Sequence, residues 1–465
     1  MSFFGRANYI GWDQLLLTAT IRADASTRFD PSCRWGYFPS VALGWKMKEA
    51  FMQDVNWLDD LKLRIGYGIT GQQNLNQGDF QYLAVYKQNQ DGAWSTMGEK
   101  ADDVDLSGKT QGTDYVIGGD GYVYYKTYRP SEYNPSLTWE KTTTYNAGID
   151  FAFLKHRISG ALDYYYRFTD DLINIVDIPA GVNFKTQVIK NVGSLYNTGV
   201  EFSINAVAVD TKNFKWDIGY NVTWNKNQIV NLTGADHEGY YEYVSSSNIG
   251  NDQKVQANAV GHPANSFYVY ESKLNPETGL LYLVDQDHPD ALPTDAEYQL
   301  TADDKIFYHS SAAPVTMGFN TKFQFYGVDL GITLRANIGN YVYNSVLQDQ
   351  LQYVTTAYDA KFDGYHSILK QAYDAYYTDG CQLRNETNGV LSTYFVQNAS
   401  FLRCDNITVG YSFQRPKING RVYCTVSNPF VVTGYKGLDP EIASGIDSNM
   451  YPRCMTTVVG LNLTF

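Results

Sequence analysis

Between Thr142 and Asn225 apolar residues fall on every second position through four successive stretches, and no other feature of this 465-residue chain limits its fold as strongly. The last stretch is the cleanest. Trp216, Ile218, Tyr220, Val222 and Trp224 share one face of an extended strand, while Asp217, Gly219, Asn221, Thr223 and Asn225 share the other. Before it, Val200, Phe202, Ile204 and Ala206 alternate with Gly199, Glu201, Ser203 and Asn205. Two earlier stretches repeat the pattern with minor lapses: Tyr145, Ala147, Ile149, Phe151 and Phe153, then Ile158, Leu162, Tyr164, Tyr166 and Phe168. In a chain that is 44% hydrophobic, one such ten-residue match arises by chance in roughly one window per thousand, so four in succession predict strands. Their joints are short and long by turns: Leu154 to His156 and Ala208 to Phe214 are brief, whereas Thr169 to Tyr196 is long. Short turns at one end and long loops at the other predict a transmembrane β-barrel with its apolar face toward lipid and its polar face toward the lumen. A soluble β-sandwich would alternate in the same way and is the competing fold.

Composition narrows the partners. Aromatic residues make up 15% of the chain, 39 of them Tyr, which favours strands over helices. The net charge of -13 argues against nucleic acid or anionic lipid as the main partner. No apolar run reaches the roughly 20 residues of a membrane helix, so any crossing of a bilayer is made by strands. The five cysteines (Cys33, Cys381, Cys404, Cys424, Cys454) are scattered and form no Cys-x-x-Cys pair, which reads as incidental thiols. Met1 to Leu17 lacks the basic start and apolar core of a secretory signal, so for an outer-membrane protein the true beginning is expected to lie upstream.

Taken in order, Ser2 to Gly11 predicts a strand, and a turn at Trp12 to Gln14 leads to a second carrying Leu15, Leu17, Ala19, Ile21 and Ala23. Val41, Leu43 and Trp45 mark a third. A connection at Lys48 to Asp60, with room for a short helix, leads to a fourth with Leu61, Leu63, Ile65, Tyr67 and Ile69 outward and Lys62, Arg64, Gly66, Gly68 and Thr70 inward. Gly66-x-Gly68-x-x-Gly71 matches the dinucleotide fingerprint by letter, but that fingerprint needs a helix directly after the glycines, and here a polar loop follows. Small residues leaving room on a lumen face explain it better. A hairpin over Val315–Phe325 and Val328–Ile338 closes at Tyr326-Gly327. Strands follow near Phe401 to Phe413, Arg421 to Val432 and Thr457 to Phe465.

Three long connections sit opposite the short turns. Thr70 to Pro135 is rich in Gly, Asp and Tyr, and Asn227 to Ala313 holds Asp285, Asp287 and Asp290, which suggest a calcium loop but lack its glycine and closing glutamate. A solvated acidic loop is expected there. Whether Ser266 to Tyr270 and Leu280 to Val284 form an extra strand pair is left open by their pattern. Tyr341 to Tyr377 has loose helical spacing (Val346, Leu347, Leu351, Val354), compatible with short helices over the barrel mouth.

Six stretches together resemble the SusC/RagA-type TonB-dependent outer-membrane transporters of Bacteroidota: RWGYFPSVALGW (Arg34 to Trp45), LKLRIGYGITGQQN (Leu61 to Asn74), YNPSLTWEKTTTYNAGIDFAFL (Tyr133 to Leu154), NVGSLYNTGVEFSI (Asn191 to Ile204), FLRCDNITVGYSF (Phe401 to Phe413) and LDPE (Leu438 to Glu441). They follow the family's order over nearly the whole chain. The resemblance implies an all-β antiparallel barrel portion over residues 1–465, about 13 to 15 strands of about 22, with signal sequence, TonB box, plug and first strands absent. It also implies energised import of oligosaccharides or peptides in the outer membrane, a SusD-like surface lipoprotein as lid, coupling to TonB through the missing N-terminal region, and recognition of the terminal Phe465 by the membrane-insertion machinery. A portion of this size is expected not to close into a stable barrel alone, because its free edges would leave unpaired backbone groups in lipid. The rival from another class is a passive porin-like channel or a surface adhesin.

Catalytic and cofactor chemistry has little support. The histidines at 156, 237, 262, 288, 309 and 366 show no metal spacing, and neither Gly-x-Ser-x-Gly nor a phosphate-binding loop occurs. A hydrolase with an Asp/His site on its loops is the remaining enzymatic alternative. Sequons such as Asn221-Val-Thr and Asn231-Leu-Thr are expected by chance in a chain rich in Asn and Thr. The candidate binding residues are aromatic side chains of the loops: Trp94, Tyr115, Tyr122, Tyr124, Tyr125 and Tyr128 in the first, Tyr240, Tyr241 and Tyr243 in the second. A ring offers a sugar or peptide a large apolar face at little entropic cost. The alternative is that these tyrosines pack the loops together or form the girdle at the membrane interface.

Overall fold

The computed structural model describes residues 1–75, 78–88, 94–126, 128–130, 133–177, 187–233, 239–249, 253–355, 370–383, 389–416, 418–448 and 451–465. One antiparallel sheet of thirteen strands dominates it, and its spatial order follows the chain. The strands are β1 (Ser2–Gly11), β2 (Leu15–Ala25), β3 (Trp35–Lys46), β4 (Leu58–Gln72), β5 (Glu140–Phe153), β6 (Ile158–Asp177), β7 (Gln187–Asp210), β8 (Phe214–Asn231), β9 (Val315–Phe325), β10 (Val328–Ile338), β11 (Phe401–Arg415), β12 (Ile418–Thr433) and β13 (Thr456–Thr464). Each pairs only with its neighbours, and among the described residues no pairing joins β1 to β13. No described helix is long and apolar enough to cross a membrane.

The register turns local alternation into two continuous faces. Trp45 lies opposite Leu63, then Ile149, Leu162, Phe202, Val222 and Met317 follow strand by strand. One position along, the row reads Arg64, Gly148, Asp163, Glu201, Thr223 and Thr316. Because a one-residue slip would exchange the faces, every strand added to such a row reinforces the register of the others. On the polar face the Arg64 guanidinium donates to both carboxylate oxygens of Asp150 (2.8 and 2.7 Å) and to Asp163 (2.9 Å). Gly148, between Arg64 and Asp163, makes that approach possible: a Cβ there would lie 2.2 Å from Asp163 Oδ1. Gly71 serves in the same way, since a Cβ would lie 2.1 Å from the ring of Phe38. The glycines of the 66–71 run thus belong to strand β4, with no helix after them.

The connections segregate by end. At one end the strands are joined by 12–14, 47–57, 154–157, 211–213, 326–327 and 416–417, and at the other by 26–34, 73–139, 178–186, 232–314, 339–400 and 434–455. A helix at Met47–Phe51 fills the expected place in the second short connection. Tyr326 and Gly327 have φ of 49° and 85°, the left-handed pair that a two-residue hairpin turn needs. Exposed aromatics Trp12, Phe51, Trp57, Phe325 and Tyr326 collect at this end, as at the interface girdle of a membrane barrel.

One expectation is corrected here and one open question is answered. The Thr169 to Tyr196 connection is mostly strand: β6 and β7 run 20 and 24 residues and stay paired as far as Asp177 opposite Gln187. A bulge between Thr169 and Leu172, with Asp171 at φ 55°, adds one residue and shifts the apolar phase, so alternation stops where pairing does not. Ser266–Tyr270 and Leu281–Leu283 are both strands, but not with each other. The first joins Tyr241–Tyr243, Gln256–Ala259 and Lys305–Ser310 in a four-stranded sheet, and the second pairs with Ser272–Leu274.

Candidate functional site

The principal buried core of this protein lies outside the thirteen strands. Val255, Phe267, Val269, Leu283, Tyr343, Leu347, Leu351, Phe395 and Ile446 belong to one apolar cluster contributed by the 232–314, 339–400 and 434–455 connections. Strand Tyr341–Asn344 pairs with Val396–Asn398 and, in parallel, with Ile446–Asp447, and the Tyr270 N–H donates to the Leu391 carbonyl (2.8 Å), so the three connections are hydrogen-bonded as well as packed. Helices Ser345–Thr355 and Lys370–Tyr377 add Leu347, Leu351, Ala372 and Ala375 to the cluster, in the stretch whose spacing predicted them. A folded body therefore stands on the long-loop rim, built because apolar surface on loops must be buried somewhere other than a lipid-facing wall.

Two junctions tie the rim to that body and to the other loops, and the motif stretches converge on them. At the first, Phe29, Phe38, Leu75, Leu137, Trp139 and Ile189 form a small core. The Trp139 indole donates to the Arg34 carbonyl (3.0 Å), and the Asn134 amide donates to the Ile189 carbonyl (2.8 Å). Asn191 accepts from the Thr138 N–H (2.9 Å) and donates to the Thr138 and Asp171 carbonyls (both 2.9 Å). At the second, Arg335 forks onto Asp405 (2.8 Å) and Glu441 (2.7 Å), while Arg403, 3% exposed, donates to Asp439 (2.6 Å) and Asn428 (2.8 Å). Arg453 adds a contact to Glu441 at 2.8 Å. Burial alone would raise the Glu441 carboxyl, but the hydrogen bonds and charge of Arg335 outweigh it and hold it below its ordinary range. The LDPE stretch is thus a charged clasp between the last long connection and β10 and β11.

Asp285 departs from the expectation of a solvated acidic loop, which Asp287 and Asp290 meet. Its carboxylate is 1% exposed and accepts backbone N–H groups of Asp287 (2.9 Å), His288 (3.1 Å) and Gln299 (2.9 Å), whereas Asp287 and Asp290 are exposed. Three backbone donors satisfy a carboxylate as well as a cation would, and no spacing rule anticipates that. Among the described residues no group of three or more His, Cys, Asp or Glu side chains is placed to hold a metal ion.

The candidate aromatic residues divide. Trp94 and Tyr128 stand in paired strands opposite Lys126 and Gln88, and their side chains lie outside the described residues. Tyr115 is buried and pairs with Tyr125, whose ring carries the Lys109 ammonium 4.9 Å from its centroid. Tyr124 donates to Asp120 (2.7 Å), Tyr125 donates to Glu99 (3.2 Å), and Tyr122 lies half-buried opposite Lys100. In the second loop Tyr240 donates to Glu242 (3.0 Å), and Tyr241 packs on Tyr268 with centroids 4.6 Å apart. Tyr243 remains exposed and accepts a hydrogen bond from Lys305 (3.1 Å), whose pKa burial lowers. Among the described residues no contact joins the two loop groups, and the hydroxyls of Tyr124, Tyr125, Tyr240 and Tyr243 serve their own loops.

Sequence reasoning passed over another rim feature. Where β9 begins at Val315, the rim end of β8 runs on as Lys226, Asn227 and Gln228 beside a cavity of about 450 Å³. Opposite stand His262, Phe307 and His309. The Asn227 carbonyl oxygen of the side chain accepts the Ala264 N–H (2.8 Å), holding the turn 261–264 against the strand. His262 and His309 are 47 positions apart, beyond the reach of any spacing motif.

Residues 2–340 match the family model of the TonB dependent receptor-like β-barrel. The chain is 44% identical over its whole length to the TonB-dependent receptor SusC of Bacteroides thetaiotaomicron, covering 44% of that protein. It is 26% identical, again over its whole length, to the TonB-dependent receptor P39 of Formosa agariphila, of which it covers 46%. Among solved structures it superposes over its whole length on 47% of a chain of the RagAB peptide transporter, with a TM-score of 0.75 and 26% identity. It thus spans less than half the length of these relatives. A thirteen-stranded sheet with one apolar and one charged face, matched in this way, makes the chain a member of the SusC/RagA-type TonB-dependent receptor β-barrel family of the outer membrane.

Proposed function

We propose that residues 1–465 are the C-terminal barrel portion of a TonB-dependent importer of oligosaccharides or peptides, working with a SusD-like surface lipoprotein. Further strands complete the barrel against the open edges of β1 and β13, and a plug upstream couples it to TonB. The observation that carries this reading is the folded body on one rim: a sheet that keeps its apolar face outward for thirteen strands and concentrates its loop structure at one mouth is suited to capturing a ligand there. The tyrosines at 240, 241 and 243 and the first-loop aromatics are the proposed contacts for substrate or lid.

The test uses the full-length protein. Uptake of labelled oligosaccharides and peptides is measured in cells with and without TonB, and the lipoprotein partner is sought by co-purification. TonB-dependent uptake of one cargo class, with a co-purifying lipoprotein, is expected. Equal flux without TonB and free diffusion through reconstituted vesicles would establish a passive channel instead.

A further inference from the structure

The cavity beside the rim end of β8 combines three chemical features. The first is a pair of imidazoles with fixed planes and free nitrogens. His262 stacks on Phe307 (centroids 4.2 Å apart, 25° between planes), and Phe307 is held from its other side by Tyr268 (4.7 Å, 28°). His309 stacks on Tyr341 (3.7 Å, 11°). One face of each imidazole is thereby taken, and among the described residues no hydrogen bond reaches the nitrogens of either ring. Burial lowers both pKa values, so each ring is neutral at physiological pH and presents one N–H donor and one nitrogen acceptor.

The second feature is a row of side-chain amides whose oxygens are already used. Asn225 accepts from the Tyr165 hydroxyl (2.7 Å), Gln228 accepts from Tyr196, and Asn227 accepts from the Ala264 N–H. Among the described residues no acceptor takes the NH₂ groups of Asn225 and Gln228, which remain as donors. The third is a charge imbalance: in a chain of net charge -13 the described residues of the cavity wall include no carboxylate, and the one cation among them, Lys226, is exposed. A cationic ligand has no partner there, and a solvated lysine alone holds an anion weakly. The Trp224 indole, 45% exposed and without a ring partner among the described residues, completes the wall.

We propose that this cavity binds an uncharged, hydroxyl-rich ligand, a saccharide segment, with the nitrogens of His262 and His309 exchanging hydrogen bonds with its hydroxyls and Trp224 covering an apolar sugar face. A hydroxyl both donates and accepts, as a neutral imidazole does, and the volume falls within the roughly 300–1,000 Å³ of small-molecule sites. Trp224 lies on the apolar face of β8 and Asn225 on the polar face, so the cavity is open to two sources of the same chemistry: a free oligosaccharide, or the sugar headgroup of an outer-leaflet glycolipid. Only the first source rests on the import reading above.

The full-length protein in detergent is titrated with maltohexaose and cellohexaose, with hexa-alanine as the peptide control, and glycolipid retained through purification is quantified by mass spectrometry. His262→Ala and His309→Ala are each expected to weaken binding about tenfold, the loss of one hydrogen bond. His309→Gln, which keeps a donor and an acceptor, restores most of it. Ala312→Trp fills the cavity without touching the ring stack and abolishes binding. For a free-sugar source the hexasaccharides bind; for a headgroup source they do not, and a glycolipid co-purifies with the parent protein and is lost from Ala312→Trp. The proposal is overturned if no variant of unchanged melting temperature alters the binding of sugar or glycolipid, or if hexa-alanine is the probe that binds. Loss of TonB-dependent uptake of every cargo would refute the import reading and leave the binding measurements standing.

Discussion

Replacing Tyr220 by Arg tests the assignment of faces at the depth where it matters most. Trp216 and Trp224 bracket the apolar run of β8, eight residues apart. At about 3.3 Å per residue they are ~26 Å apart along the strand, and a tilt of about 40° reduces this to ~20 Å along the membrane normal, close to the ~25 Å apolar band of an outer-membrane barrel. Tyr220 is therefore ~10 Å from either edge. It lies between Ile204 of β7 and Phe319 of β9, in a row that offers a guanidinium no acceptor. We predict that Tyr220→Arg costs about 2–4 kcal/mol, the depth-dependent penalty for arginine near the midplane. Asn221→Arg, one residue along, should cost under about 1 kcal/mol, since Asn221 faces Ser203 and Gly318 on the side of the Arg64 cluster. Both variants are made in the full-length protein and folded into phospholipid vesicles in graded urea, the folded fraction being read from heat-modifiable gel mobility. Equal costs at the two sites, or a larger one at Asn221, would refute the assignment.

Other expectations concern the rim. Trp139→Ala removes a ring that is 5% exposed, together with its hydrogen bond to Arg34, and should cost about 3–5 kcal/mol, read as faster amide exchange over 26–34. Arg403→Met leaves Asp439 and Glu441 short of a buried partner and should cost about 3–5 kcal/mol, with new protease cleavage in 434–455; pairing it with Asp439→Leu should recover part of the loss. Backbone N–H groups, Gln299 first and then His288 and Asp287, hold the Asp285 carboxyl below its ordinary range against the opposing effect of burial. A depressed pKa stabilises fully above the unfolded value of about 3.9 and is lost as pH falls through the folded one. Asp285→Asn should therefore loosen the Gln299 and His288 amides at pH 7, with the difference from the parent protein shrinking as pH falls through the folded pKa, and a difference that stays constant as pH falls would count against this account. Replacing Tyr240, Tyr241 and Tyr243 together by Ala should weaken substrate or lid binding at equal surface expression, whereas unchanged affinity for both would leave them as packing residues.

The barrel strands were legible because their information is local. A residue in a half-buried strand needs only its neighbour at the second position to declare its face, and the 12–14, 154–157 and 326–327 turns announce themselves by their brevity. Where alternation lapses, legibility lapses too: the bulge at Thr169 hid nearly half of β6 and the beginning of β7. Apart from the helical spacing within Tyr341 to Tyr377 the loops carry no period, so their strands were visible only as fragments, and which fragments pair was not.

By itself, then, the amino-acid sequence determined the all-β class, the apolar and polar faces, the placement of long loops at one end and the family. Each follows from period-2 patterning or from motif stretches that need no third dimension. Tertiary structure alone decided that loop segments from three connections share one core, and that Asp285 is buried beneath backbone donors. It also decided that LDPE closes onto Arg335 and Arg403, and that His262 and His309 face one cavity. Those contacts join residues tens of positions apart, and their meeting depends on where the barrel rim delivers each chain end, a geometry no local pattern encodes.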